Sequence, residues 1–246
     1  MILIEKTEVM GFEQAIRGMR NPMNSWDKSD SGICKDGDYG IGCANCAAYD
    51  CGHTYDHSFQ IGKNDHELMM RLASAGPVHG KFRRMIVVYT DITAPLYWWK
   101  EFDTYKVGTV TNSCSTMHKI HAKEFTIDDF SHETLTDKSF ELLLNVIDVL
   151  NDNRDAFNTW NEDCMHSKKR YWYNMIQLLP SSYNQKRTVM LNYEVLANIY
   201  QYRKNHKLDE WKEFCKWIER LPWSEIITCS ISEEEDKNVE AGTTEK

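Results

Sequence analysis

The sequence predicts an α+β fold, a small mixed or antiparallel sheet with helices packed on it. Helical periodicity recurs in several separate stretches and strand signals are few. Strands and helices also never alternate in the βαβ manner that a parallel sheet needs. The 246 residues can bury an ample core, and eight Trp with 12% aromatic residues argue for a packed interior.

Taken in order, Ile2–Val9 reads as a first strand, and Phe12–Met19 as a short helix ending near Arg20-Asn21-Pro22. Arg17, Arg20 and Asn21 either bind phosphate or form a solvated helix end. Residues 31–63 are rich in Gly, Asp and Cys without periodicity, an insertion of the kind that is usually functional or stapled. Asp65–Ala75 is a helix with Leu68, Met69 and Leu72 on its apolar face, capped by Asn64 or Asp65 and ended by Gly76-Pro77. Met85–Ile92, MIVVYTDI, is the clearest strand, and Pro95 opens the aromatic helix LYWWKEFDTYK. Thr126–Asp129 starts another region. Lys138–Leu150 and Trp160–Leu178 follow as helices, the second carrying Lys168-Lys169-Arg170. Asn192–Arg203 is helical, and Asp209–Glu219 faces Trp211, Phe214 and Ile218 inward. The expected organisation is one α+β domain over 1–230 and an acidic, disordered tail over 231–246.

Net charge is −8, and the tail alone holds Glu233, Glu234, Glu235, Asp236, Glu240 and Glu245. A nonspecific grip on duplex DNA is excluded by that balance. The start MILIEKTEVM has no basic segment followed by an apolar stretch, and no apolar run approaches the ~18 residues of a span. No secretory leader and no membrane span are expected, and a reducing, cytoplasmic compartment is. Half of the eight cysteines fall in one short stretch, Cys34, Cys43, Cys46 and Cys51, with His53 and His57 just beyond. Cys43-x2-Cys46 has the knuckle spacing of structural zinc, but the usual second pair is missing. Zinc, free thiols and a redox role all stay open.

Other constellations are less specific. Tyr97-Trp98-Trp99 and Trp172-Tyr173 either stack a planar ligand or fill the core. Cys114 has His118 one turn on, and on a helix His118 and His121 would share a face. The most informative segment is NYEVLANIYQYR, in which Asn192, Leu196, Ile199 and Arg203 fall on one helical face. An amide and a guanidinium bracketing two apolar side chains suit a helix that packs inward and also meets a ligand. Arg is the preferred partner of phosphate because its planar fork donates two parallel hydrogen bonds.

The pattern LP…T-V-x-x-N-x-x-x-L-x-N-x-x-x-x-R, running to Arg203, resembles the C-terminal signature of the flavin-dependent thymidylate synthases. Leu68–Met85 resembles the helix, Gly turn and Phe that precede a strand in that family, and Ala15-Ile16-Arg17 its N-terminal Ala-Arg. The resemblance implies an enzyme that uses FAD and transfers a one-carbon unit to a pyrimidine deoxynucleotide, of the dUMP to dTMP type. It further implies methylenetetrahydrofolate and NADPH as co-substrates, and a homotetramer with sites shared between chains. Asn192, Asn198 and Arg203 would meet flavin and nucleotide. The family motif R-H-R-x-x-S-x-N-E-x-S-x-R-Y corresponds to Tyr105–His118, YKVGTVTNSCSTMH, where Asn112 and Ser115 match and would lie near the reacting base.

The departures have chemical meaning. The motif's basic head becomes Tyr105, Lys106 and Val107, its Glu becomes Ser113, and its last Arg becomes Met117. Gln177 stands near the position of another family Arg, and Lys207, beside His206, where His is frequent. Each lost cation removes a charge-assisted hydrogen bond of about 1.5–3 kcal/mol. Lys106 and Lys207 would then serve the cofactor phosphates, and Arg203, Ser113, Ser115 and Gln177 the nucleotide. The alternatives are a catalytically inactive nucleotide-binding module on the same fold, or modification of a different nucleotide.

Overall fold

The computed structural model describes residues 1–33 and 59–229, and its fold is α+β, as the sequence predicts. In chain order the elements are β1 (Leu3–Met10), α1 (Phe12–Arg20), the two-residue strands β2 (Gly32–Ile33) and β3 (Phe59–Gln60), and α2 (Lys63–Ser74). A 3-10 helix, Gly80–Met85, leads into β4 (Val87–Pro95), α3 (Leu96–Phe102) and β5 (Val110–Ser113). Then come α4 (Asp137–Asn158), α5 (Lys168–Leu178), β6 (Asn184–Asn192), α6 (Tyr193–Arg203), α7 (Asp209–Glu219) and α8 (Glu225–Thr228). The main sheet has four strands in the order β1-β4-β6-β5; β2 and β3 pair antiparallel, Gly32 opposite Gln60 and Ile33 opposite Phe59. None of the described helices is long and apolar enough to cross a membrane.

Several elements depart from the sequence reading: α4 runs on to Asn158, eight residues beyond the expected Leu150, and α3 stops at Phe102, four residues short of the expected Lys106. The helix expected from Trp160 begins at Lys168. Asn161 Oδ1 accepts from the Asp163 amide at 3.1 Å and closes a turn, and Ser167 then accepts from the Arg170 amide and restarts the helix. The strands β5 and β6 carried no clear signal. In β6 the inward positions include Gln185 and Arg187, so the alternation is masked. Both polar groups are nevertheless satisfied. Gln185 Nε2 donates to Cys114 O at 2.7 Å, and Arg187 pairs with Asp103 at 2.7 Å and lies 4.1 Å over the Trp99 ring.

The chain divides into two compact units. The first comprises Met1–Thr7, Thr90–Lys106 and Val110–Val189. Its helical hairpin α4–α5 closes a core of Ile120, Phe125, Phe130, Leu143, Ile147, Leu150 and Met175. Trp98, Trp99 and Phe102 form a second buried aromatic group, the Trp99 indole donating to Gln185 O at 2.9 Å. These tryptophans are core residues and are closed to a stacking ligand, because the aromatic face of α3 packs inward.

The second unit comprises Glu8–Tyr89, Val107–Thr109 and Met190–Lys246. Gly11, at φ 101°, is required between β1 and α1, because a Cβ there would lie 2.2 Å from the Met85 carbonyl oxygen. Arg20 is buried and donates to Asp65 at 2.6 Å. The second oxygen of Asp65 accepts from the Ser29 and Ser31 hydroxyls and the amides of Asp30 and Ser31. Burial raises the Asp65 pKa, but the hydrogen bonds from Ser31, Ser29 and Arg20 outweigh it and hold the group below the ordinary carboxylate range. Arg20 is therefore structural and is not held out for phosphate.

Candidate functional site

Strand β6 ends at Asn192, whose extended backbone (φ −122°, ψ 167°) makes it the N-cap of α6. Its Oδ1 accepts from the Val195 amide at 3.0 Å, satisfying one of the helix's open donors. Its Nδ2 faces the loop Val107–Thr109. Gly108 there has φ 78°, and a Cβ on it would come within 2.8 Å of that nitrogen. Leu196 and Ile199 of the same helix are fully buried. Arg203 lies in the last turn, half-buried, with its guanidinium 4.8 Å over the Trp211 ring. Asn198 is exposed, about 140° around the helix from Arg203 at 100° per residue. The helix thus keeps Asn192 and Arg203 on one flank and turns Asn198 away from it. Lys207, beyond α6, is exposed.

The remaining candidates lie in the first unit. Asn112 and Ser113 are exposed on the edge strand β5. Ser115 Oγ accepts from the amides of Met117 at 3.2 Å and His118 at 2.9 Å, which leaves its hydroxyl proton for an outside acceptor. Lys106 is exposed, and Gln177 is exposed in the last turn of α5. His118 and His121 sit in a turn and do not share a helical face. His118 is exposed, whereas His121 packs on the Phe157 ring at 4.5 Å. Trp172 donates to Met117 O at 2.9 Å, so that indole ties the loop to α5. The possible zinc ligands Cys34, Cys43, Cys46 and Cys51 lie outside the described residues. Among the described residues no group of three or more His, Cys, Asp or Glu is arranged to hold a metal.

A feature that sequence reasoning missed is a cleft of about 1220 Å³ in the second unit. Its apolar surface comes from Met19 of α1, Leu68 and Leu72 of α2, and Phe82 and Met85 of the 3-10 helix. Its polar lining includes Arg20, Lys28, Arg71, His79 and Lys81 and, among the described residues, one carboxylate, Glu67, which has Lys63 4.0 Å away. Lys28, Arg71 and Lys81 make no ion pair among the described residues. They come from three separate segments, so spacing could not group them. Arg71, three residues after Leu68, was the one available hint. An apolar interior edged by cations suits a ligand with a planar body and an anionic group. The 3-10 helix connects this cleft to α6. Lys81, Phe82 and Met85 line the cleft, while Arg83 donates to Glu194 of α6 at 2.7 Å. The amide of Tyr193 also donates to Ile86 O at 3.0 Å.

No family model matches the sequence, and no curated protein does. Two crystal structures of the flavin-dependent thymidylate synthase ThyX from Helicobacter pylori with FAD and dUMP are similar in fold. One superposes with a TM-score of 0.58 at 14% identity, covering 94% of this chain and 99% of that one. The other gives 0.55 at 14% identity, covering 92% and 94%. The likeness establishes the fold. It spans nearly the whole of both chains, so the shared architecture is not confined to one unit.

Proposed function

We propose that this protein is a flavin-dependent, thymidylate synthase-like enzyme that binds FAD and transfers a one-carbon unit to the base of a pyrimidine deoxynucleotide, dUMP to dTMP in type. The observation that carries this reading is the fold match over 94% of this chain and 99% of a synthase crystallised with FAD and dUMP. The cationic cleft supports it independently, because Lys28, Arg71 and Lys81, which make no ion pair among the described residues, fit an anionic cofactor. Bound flavin would supply the hydride, with methylenetetrahydrofolate as carbon donor and NADPH as reductant.

The chain's own groups bind and orient. Arg71 and Lys81 hold phosphate at the cleft. Arg203, Asn198 and Lys207 on and after α6 serve cofactor and nucleotide, with Lys106 adding a point charge. Asn192 presents only its Nδ2, since its oxygen caps α6. Asn112, Ser113 and Gln177 offer exposed donors and acceptors to the nucleotide, and Ser115 offers its hydroxyl proton near the reacting base. Assembly as a homotetramer in the cytoplasm and zinc at Cys34, Cys43, Cys46 and Cys51 belong to the same proposal, and solution mass and metal analysis test them.

The deciding experiment is a visible absorption spectrum of the purified protein before and after FAD is added. Flavin bands retained through gel filtration, and lost in Arg203→Ala, are expected. A colourless protein that takes up no FAD overturns the enzyme reading. A nucleotide-binding module without catalysis is the second reading, favoured by Tyr105, Val107 and Met117 replacing the family's cations. Stabilisation by dUMP without flavin uptake identifies it, since a ligand at 100 times its Kd adds about 2.7 kcal/mol.

A further inference from the structure

We infer that Lys119, Lys168 and Lys169 of the first unit form a surface for a short chain of carboxylates, and that its occupant is the γ-glutamyl tail of the folate carbon donor. The identity of the occupant rests on the proposed function; the surface does not.

The three cations come from two segments that side-chain hydrogen bonds tie together. Trp172 of α5 donates to Met117 O at 2.9 Å, so the turn held by Ser115 Oγ lies against that helix. Further along, Asn158 Nδ2 at the end of α4 donates to His121 O at 3.2 Å, and the His121 ring packs on Phe157. Lys119 is exposed between these two anchors. Lys168 and Lys169 stand four and three residues before Trp172 and flank it on one face of α5. Lys168 Nζ lies 4.8 Å over the Phe157 ring, and Lys169 Nζ lies 5.6 Å over the Tyr173 ring. All three lysines are exposed, and none makes an ion pair among the described residues. Lys123, by contrast, is paired with Asp129 at 2.6 Å. Arg170 sits about 160° around the helix from Trp172, beside His166 at 3.4 Å, and is not part of the surface.

The choice of occupant follows from what the rings and charges leave available. A nucleic acid would need open aromatic faces on which its bases stack. Here Phe157 carries Lys168 and His121, Tyr173 carries Lys169, and Trp172 stands edge-on to Tyr173 at 4.9 Å with its N–H committed. The net charge of −8 also opposes a long polyanion beyond the patch. A short run of carboxylates asks only for ammonium groups, which Lys presents as point charges. Position agrees with this. Lys119 is four residues beyond Ser115, at most about 14 Å of chain. In a folate the reacting carbon and the glutamyl end are separated by a p-aminobenzoyl ring. A folate reacting beside Ser115 therefore sends its tail outward, into the range of these lysines.

Isothermal titration calorimetry of the intact chain at low salt, with FAD and dUMP in the buffer, tests the inference. The probes are pteroylpenta-γ-glutamate, pteroylmonoglutamate and free penta-γ-glutamate. The long folate should bind about tenfold more tightly than the short one, the order expected of three exposed ion pairs. That advantage should shrink in about 0.5 M salt, where exposed charges are screened within a few ångströms. It should vanish in the combined variant Lys119→Ala, Lys168→Ala, Lys169→Ala, and survive both in the matching Lys→Arg variant and in Arg170→Ala. The Ala variant should keep the circular dichroism and melting of the parent, since all three side chains are exposed. Equal affinity for the two folates in the parent overturns the inference, as does an advantage that persists in the Ala variant. An oligothymidylate that outbinds penta-γ-glutamate on the parent, and not on the Ala variant, assigns the surface to nucleic acid and overturns it too. If neither folate binds while free penta-γ-glutamate binds the parent and not the Ala variant, the folate reading falls and the surface stands. If the free tail also fails to bind, both fall.

Discussion

Arg20 and Arg71 line the same cleft under opposite conditions. Arg20 is 4% exposed and bonded to Asp65, which is fully buried and accepts four further hydrogen bonds. Arg71 is exposed and has no ion pair among the described residues. The first guanidinium holds α1 to α2 and fixes the segment Ser29–Ser31. The second contributes little to the fold and is held available. A buried charge must be paired, whereas an exposed cation beside an apolar cleft can wait for a ligand.

The sharpest way to break this contrast is to remove one partner of the buried pair. Asp65→Ala leaves Arg20 buried and uncompensated, for an expected loss of about 3–5 kcal/mol. For a chain of this size that lowers Tm by about 6–20 °C in a thermal melt. The pair also predicts acid sensitivity. The Asp65 pKa is depressed in the folded state, so its contribution is complete above the unfolded carboxylate value of about 4 and is lost as pH falls through the lower folded value. Asp65→Asn should remove this part of the acid limb. If Asp65→Ala melts with the parent, Arg20 is no more structural than Arg71.

The converse test is Arg71→Ala combined with Lys81→Ala. Stability should stay within about 0.5 kcal/mol of the parent. FAD affinity should fall about ten- to a hundredfold for each charge-assisted bond removed. A variant that loses stability but keeps its FAD affinity would reverse the assignment of the two arginines.

What the sequence shows of these two regions differs for a physical reason. Periodicity located α1, α2 and α7 within a residue or two and β4 within three, because each buries an apolar face. The α+β class followed from those elements. Arg20–Asp65 joins residues 45 positions apart and has no sequence signature, so Arg20 read as a phosphate ligand or a solvated end. The cleft was equally hidden, since Lys28, Arg71 and Lys81 meet only through tertiary packing. In β6, Gln185 and Arg187 occupy inward positions that alternation rules assign to apolar residues. The helix α6 was legible as a helix, but its cap was not separated from its face. Asn192 looked like one more ligand on a surface, and its oxygen is in fact committed to Val195.

That cap allows a smaller test, at Gly108. Gly108→Ala puts a side chain at φ 78° and within 2.8 Å of Asn192 Nδ2. A cost of about 1–3 kcal/mol is expected from backbone strain and crowding together. Asn192→Gly in the same chain removes the crowding but not the strain. A double-mutant cycle in urea should therefore return part of the loss as a coupling energy. Strict additivity would mean that the loop and the cap do not touch.

The smallest expected effect compares two N-caps. Asn192 caps α6 at 3.0 Å with Glu194 in the first turn, so side chain and charge both favour the helix start. Ser167 caps α5 at 3.4 Å, and Lys168, Lys169 and Arg170 follow at once, placing three cations at the positive end of the helix dipole. Helix α5 therefore starts against its own electrostatics, and Ser167 is what supports that start. Ser167→Ala should cost about 1 kcal/mol. Ser167→Asp keeps an acceptor and adds a negative charge beside the cations, for a gain of about 0.3–1 kcal/mol that shrinks as salt is added. Urea midpoints at two salt concentrations read both substitutions. A Ser167→Asp chain no more stable than the parent at low salt would show that packing of Met175 against α4, and not the cap, sets where α5 begins.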